Sequence, residues 1–420
     1  MLLRRPDELV PGETVRSLRA VTDLDGTVVS VGFADGRIVN RDAEGLAAGV
    51  DVDASDWMLL PPMADLHAHV DKAYTWSAAG SPEGSLEDAV SCWQSFGELL
   101  TYEQIKINAR RQLTAAMRAG VTAIRTHVNY HEGPDPLRGI RAVIELREEF
   151  RGFVDLQVVA MHGYNRESDV IREAIGLGVD LLGDAPHLSP DPQAEIERTV
   201  QLAEEAGLGV DIHTDETLNP NSLGIRDLAR LTSRWPASMT RSAGHCVSLA
   251  MQTPETLAVV LSEAAAAGVS IITNPLTNLY LQGWEHPTAT PRALPPLRSI
   301  LEAGVGLAAG GDNVQDPFNP LGNGDMIDVV AALVLAGHLT PRAAWEVVTA
   351  GRGLMNLPRA TGAVGDVADM ILVRATSVAE AVAERAPERI VIRGGRVIAR
   401  RRLAIDAVDV SIIEAKEIRA

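Results

Sequence analysis

Eight short apolar runs, each followed by a stretch with helical spacing, constrain this chain more than any other feature. The runs are ADLHAHV (64–70), TAIRTHV (122–128), FVDLQVVA (153–160), DLLGDAP (180–186), GVDIHTD (209–215), MTRSAGHC (239–246), SIITNP (270–275) and GLAAGGD (306–312). Short apolar runs bounded by turn signals read as buried strands. Between them, YEQIKINARRQLTAAMRAG, AEIERTVQLAEEAG, PETLAVVLSEAAAAG and PLRSILEAG each end in Gly, the usual residue just past a helix C-terminus. Eight strands alternating with helices over about 250 residues is the count of an α/β chain folded as a (β/α)8, TIM-like barrel. A doubly wound open sheet is the structural rival, but no G-x-G-x-x-G follows the first strand. The barrel is expected over 64–360.

The two flanks, 1–63 and 361–420, read differently. Thr27–Phe33 is rich in β-branched residues, and Asp35-Gly36 then turns the chain into Arg37-Ile38-Val39, a hairpin signature. Ala368–Val373 reads as a strand, and Gly394-Gly395 joins Ile390–Arg393 to Arg396–Ala399 in a second hairpin. Chain ends tend to lie close together, so the flanks are expected to form one composite β-unit.

Polar residues gather at the carboxyl ends of the expected strands, the face where barrel enzymes keep their chemistry. Strand 1 ends in His67-Ala68-His69, and alternation along a strand turns both imidazoles to the interior. Strand 5 ends in His213-Thr214-Asp215-Glu216, strand 6 in His245 and strand 8 in Asp312. His67, His69, His213 and Asp312 supply three nitrogens and a carboxylate. That set suits one divalent metal, Zn2+ or Fe2+, with a position left for water. Such a metal lowers the pKa of its water and makes hydroxide available to attack a C–N carbon. Glu216 can carry a proton, His245 can hold the hydroxide or a developing oxyanion, and Asp312 can accept the water's proton.

LLPPMADLHAHVDK, RTHV, HTDE, GHC, TNPLTNLYLQG and GGDNVQDPFNPLG follow one another in order. Together they resemble the amidohydrolase superfamily in its cytosine-deaminase-like branch. The resemblance implies a distorted barrel, a small β-sandwich formed by both chain ends, and one metal held by His67, His69, His213 and Asp312. It implies catalytic roles for Glu216 as proton shuttle, His245 and Asp312. Binuclear members use a carboxylated lysine at the end of strand 4, where this chain has Asp184-Ala185-Pro186-His187. The implied activity is that of an aminohydrolase acting on a small nitrogen heterocycle. A ring-opening cyclic amidase and a non-catalytic metal- or ligand-binding barrel are the alternatives.

Departures from the cytosine-deaminase pattern bear on the substrate. Gly163 or a neighbour stands where those enzymes carry a glutamine that reads the pyrimidine, with His162 beside it, and Asn313 stands where they carry a second aspartate. Lys72, in His69-Val70-Asp71-Lys72, resembles the H-x-D-K feature of N-isopropylammelide amidohydrolases. By the same resemblance Phe318 flanks the substrate ring and Leu86 packs opposite, while Asn278, Gln282 and Trp284 lie on a loop that could cover the site. Cytosine itself is therefore not the expected substrate. Cys246 reads as a small packing residue rather than a nucleophile.

Charge and cysteine usage narrow the partners. Lys plus Arg is 38 and Asp plus Glu is 56, a net charge of −18, which disfavours nucleic acid. No apolar run approaches a membrane span, and the N-terminus shows no secretory h-region. Two cysteines suit a reducing compartment, so a cytoplasmic protein is expected. A homo-oligomer stays open.

Overall fold

In the computed structural model, which describes residues 3–41, 48–80, 83–164 and 166–402, all eight expected strands form. They are β1 (Met63–Ala68), β2 (Val121–Asn129), β3 (Asp155–Met161), β4 (Leu181–Gly183), β5 (Gly209–Thr214), β6 (Arg241–His245), β7 (Ser270–Thr273) and β8 (Gly306–Ala309). Each pairs in parallel with the next in sequence order. The barrel closes between its first and last strands just beyond the ladder. Asp312 N–H donates to His67 O at 2.7 Å, and His69 N–H donates to Asp312 O at 3.2 Å. The seam that closes the sheet therefore aligns three of the polar residues named above.

The helices start and stop on local chemistry. Thr101 and Gln104 form a capping box before Tyr102–Ala119, while Asp191 and Thr253 accept backbone N–H bonds ahead of Pro192–Ala206 and Pro254–Ala267. Gly120, Gly207 and Gly268 end these three helices in the left-handed conformation, as their sequence positions predict. The helix within PLRSILEAG is shorter, Leu297–Glu302, and its glycine lies one residue past the C-cap Ala303.

Both flanks enter a second, mostly antiparallel sheet. Its path runs Arg396–Arg401, Arg389–Arg393, Met370–Val373, Met58–Leu60, Val15–Thr22, Val28–Ala34, Arg37–Asn40, with Val50–Asp53 beside Val15–Thr22. Both expected hairpins form, with Asp35, Gly36, Gly394 and Gly395 all at positive φ, the geometry of a tight two-residue turn. The chain ends meet where Leu60 pairs with Ile371. Of the expected C-terminal flank, 403–420 lies outside the described residues. Among the described residues no helix is long and apolar enough to cross a membrane.

Below the strand ends the barrel interior holds a polar layer. Arg125 on β2 donates to Asp211 Oδ2 on β5 at 2.6 Å, to Ser242 Oγ on β6 at 3.0 Å and to Gln157 Oε1 on β3 at 3.0 Å. Both charged side chains are fully buried. Burial opposes the charge on Asp211, but His127 and Arg125 outweigh it and hold the carboxyl below its usual range. Arg125→Met leaves that carboxylate desolvated and short of its cation. The expected cost is about 3–5 kcal/mol of stability, read as a lower denaturant midpoint with unchanged slope. A variant within about 0.5 kcal/mol of the parent, the scale of surface changes, contradicts this role.

Candidate active site

Four side chains converge at the barrel seam. His67 and His69 alternate around Ala68 on β1, His213 is the penultimate residue of β5, and Asp312 follows β8 after two glycines. His213 Nε2 lies 3.1 Å from His67 Nε2 and 3.2 Å from His69 Nε2. Asp312 Oδ1 lies 3.4 Å from His69 Nε2 and 3.8 Å from His67 Nε2. Two close approaches make the room. A Cβ on Gly310 would stand 2.4 Å from His67 Cβ, and one on Gly244 would stand 3.0 Å from His67 Cε1.

Burial holds His67 and His213 well below the usual histidine range, reinforced by neighbouring imidazoles; at His69 burial is reinforced first by Lys72. Burial, then Glu216, pushes Asp312 well above the carboxylate range. Three neutral imidazoles turn the same nitrogen to one point, and their Nδ1 atoms have no hydrogen-bond partner among the described residues. A neutral imidazole carries one N–H, so these rings cannot all satisfy one another. Donor separations of 3.1–3.8 Å are those around a cation about 2.0–2.2 Å from each atom. The donor set fits a divalent metal.

Glu216 and His245 stand beside the four. Glu216 Oε1 is 3.4 Å from His245 Nδ1, and burial pushes its carboxyl up to about 8. His245 Nδ1 is also 2.9 Å from Asn278 Oδ1, while His245 Nε2 has no partner among the described residues. A carboxamide oxygen only accepts, so Nδ1 carries the proton and Nε2 the lone pair. Burial pulls this imidazole down to about 3 and keeps it neutral. Asp215, His245 and Asp312 have φ of 55°, 67° and 61°. Left-handed backbone at non-glycine residues costs about 1–3 kcal/mol each and clusters where a site over-determines it. Asp215 itself is spent on structure, accepting the N–H groups of Gly224 and Ile225 at the start of the next helix.

A cavity of about 550 Å3 opens over these groups, and Leu86, His162, Gly163, Asn313, Phe318 and Lys72 all line it. Lys72 is the most unusual of them. Its side chain is buried, its ammonium lies 4.6 Å from the Phe318 ring centroid and 5.3 Å from that of Trp93, and no carboxylate is within ion-pair distance among the described residues. His162 and Asn313 are less free than the sequence suggests. His162 Nε2 is 3.1 Å from Thr199 Oγ1 and Nδ1 is 3.2 Å from Gly163 O. Asn313 Nδ2 donates to Asp316 Oδ2 at 2.8 Å. A larger groove of about 850 Å3 lies between Pro192–Ala206 and Gly224–Thr232, sharing only His187 and His213 with the cavity.

The structure also adds and moves residues. His127, at the end of β2, packs its ring 4.1 Å from His67 and sets Nε2 3.4 Å from Asp211 Oδ1. RTHV at a strand end was its signal. His187, after β4, places Nε2 3.7 Å from Glu216 Oε2. Asn278 and Gln282 are not a cover over the site. Asn278 sits buried on the helix Pro275–Leu281 as the partner of His245, and Gln282 Nε2 donates to Glu216 O at 3.0 Å. Of the three, only Trp284 is exposed. Cys246 is buried, and burial raises its thiol well above the usual range, which makes it inert.

A model of the Amidohydrolase family matches residues 78–399. A curated pterin deaminase of Rhizobium rhizogenes is 31% identical over 93% of this chain and 92% of its own length. An N-isopropylammelide isopropyl amidohydrolase of Pseudomonas sp. is 26% identical over 89% of this chain and 94% of its own. Among solved structures, a 5-methylcytosine deaminase from Klebsiella pneumoniae superposes with a TM-score of 0.83 at 23% identity, covering 93% of this chain and 99% of that one. That last likeness is one of fold. With a family model over most of its length and a full-length curated relative, this chain is an enzyme of the amidohydrolase family.

Proposed function

We propose that the protein is a hydrolytic deaminase of a flat, amino-substituted nitrogen heterocycle, using one divalent cation, Zn2+ or Fe2+, held by His67, His69, His213 and Asp312. The observation that carries the reading is the convergence of those donors, three of them lining one cavity, with Glu216, His245 and a buried lysine set between two aromatic rings. The relatives named as a pterin deaminase and an N-isopropylammelide isopropyl amidohydrolase support that class.

A cation bound there supplies an activated water as nucleophile at neutral pH. The rest falls to the side chains. Phe318 and Leu86 give apolar surface against a planar ring, and Lys72 meets a carbonyl or anionic edge of it. Glu216, buried beside those donors, takes the proton released by the activated water and hands it to a ring nitrogen or to the leaving amine. His245, kept neutral and oriented by Asn278, presents a lone pair at Nε2 that accepts a hydrogen bond from the attacking water or hydroxide; of its two expected roles this is the one the geometry supports, since a lone pair does not stabilise an oxyanion. The experiment is a screen of pterins, triazines, pyrimidines and cyclic ureas for amine release. A new carboxylate without released amine means ring opening and overturns the deaminase reading.

The metal is checked separately. Purified protein is expected to hold about one Zn2+ or Fe2+ per chain, and His213→Ala to lose both metal and activity. Two tightly bound ions at full occupancy contradict the assignment.

A further inference from the structure

The seam that sets Asp312 against His67 and His69 has little ladder to hold it. β1 and β8 end the path of the sheet, and among the described residues they meet only through the bridge between Ala68 and Asp312. Asp312 also follows Gly310 and Gly311, and glycine backbone is the least restrained of any. On the β1 side the register with β2 shifts between Asp65 and Ala68, so that Leu66 and His67 together face Arg125 alone. That is a bulge, and a bulge takes backbone groups out of the ladder.

One carboxylate oxygen serves both weak points. Asp65 Oδ1 accepts from His67 N–H at 3.2 Å and from Gly311 N–H at 2.9 Å. Asp65 is buried, and it does not line the cavity. Glycine at 311 leaves the carboxylate its room, because a Cβ there would stand 3.0 Å from Asp65 Oδ2. Without that oxygen two N–H groups inside the seam lose their acceptor. The segments that carry His67 and Asp312 then lose the side chain that ties one to the other.

We propose that Asp65 is a positioning residue for the metal ligands: its Oδ1 pins the bulge that carries His67 to the glycine pair that carries Asp312, and so fixes the spacing of the donors. It acts as an acceptor in a set place and not as a charge. The role presupposes the metal site proposed above and deepens it.

The test reads the Zn2+ affinity of metal-free protein by competition with a chromogenic chelator, beside the visible spectrum of the Co2+-loaded protein. Asp65→Asn keeps Oδ1 and drops the charge, and is expected to keep the parent's Kd and spectrum. Asp65→Glu keeps the charge but displaces the acceptor by one methylene, and Asp65→Ala removes it. Both are expected to raise Kd by about 10–100-fold, the usual loss when an outer partner of a metal ligand is removed. Both are also expected to change the Co2+ spectrum, which reports ligand geometry. A part played in stability alone lowers the denaturant midpoint and leaves Kd and spectrum of the folded protein at parent values. That result in Asp65→Glu or Asp65→Ala overturns the role, and so does a Kd raised as far in Asp65→Asn as in Asp65→Glu. Where Asp65→Ala fails to fold, Asp65→Glu carries the comparison. Parent protein that binds no Zn2+ overturns the metal site itself, a failure distinct from an unchanged Kd in the variants.

Discussion

Glu216→Gln is expected to keep its metal and most of its substrate binding while turnover falls by about 10²–10⁴, the usual contribution of a positioned general acid–base. The substitution preserves shape and much hydrogen bonding but removes the group that can exchange a proton. The surroundings make this a clean probe. Glu216 is held by its main chain through Gln282, and its carboxyl faces His245 and His187 rather than the converging imidazoles. Losing the proton should therefore leave His67, His69, His213 and Asp312 in place. The measurement is kcat and KM beside metal content. Wild-type turnover in a metal-replete variant would remove Glu216 from the proton path.

Cytosine is expected to be turned over about two to four orders of magnitude less efficiently than the best substrate. The resemblance to cytosine deaminases implies that two groups which read the base there are replaced in this chain, one at Gly163 or a neighbour and one at Asn313. Gly163 has no side chain, a Cβ built on it would meet nothing within 4 Å, and its carbonyl already accepts from His162 Nδ1 and from Arg166 N–H. Asn313 spends its amide on Asp316 and sets Oδ1 3.4 Å from Thr277 Oγ1. A polar substrate edge left unpaired costs about 1–3 kcal/mol per group, and each 1.4 kcal/mol is tenfold. The assay is kcat/KM for cytosine with metal-loaded enzyme. A value of about 10⁵ M⁻¹s⁻¹ or more, ordinary for a true substrate, would show that other groups read the pyrimidine.

The gap between reading the chain and seeing it folded is clearest at Asn278. Its neighbours looked like a loop over the site, yet its side chain orients His245 from a short buried helix. Nothing local in NPLTNLYLQG encodes that bond, because it depends on how the helix after β7 packs beside β6. His127 is a similar case. Its place at a strand end was legible, but its ring packing on His67 and its approach to Asp211 follow from the neighbouring strand registers. Lys72 was visible as a lysine near the expected metal ligands, but its seat between Phe318 and Trp93 needs a loop and the helix Leu86–Gly97, far apart in sequence.

The sequence by itself determined the eight strands, three of the four expected glycine helix ends, both hairpins and the residues at the strand ends, because side-chain period and the backbone freedom of glycine act over a few residues. The tertiary structure alone decided which of those residues meet. His67, His69 and Asp312 come together through two backbone hydrogen bonds at the closing seam, and His213 joins them from the far side of the barrel. Arg125 and Asp211 pair across it in the same way. Closure of the sheet sets those distances, and closure is a property of all eight strands at once.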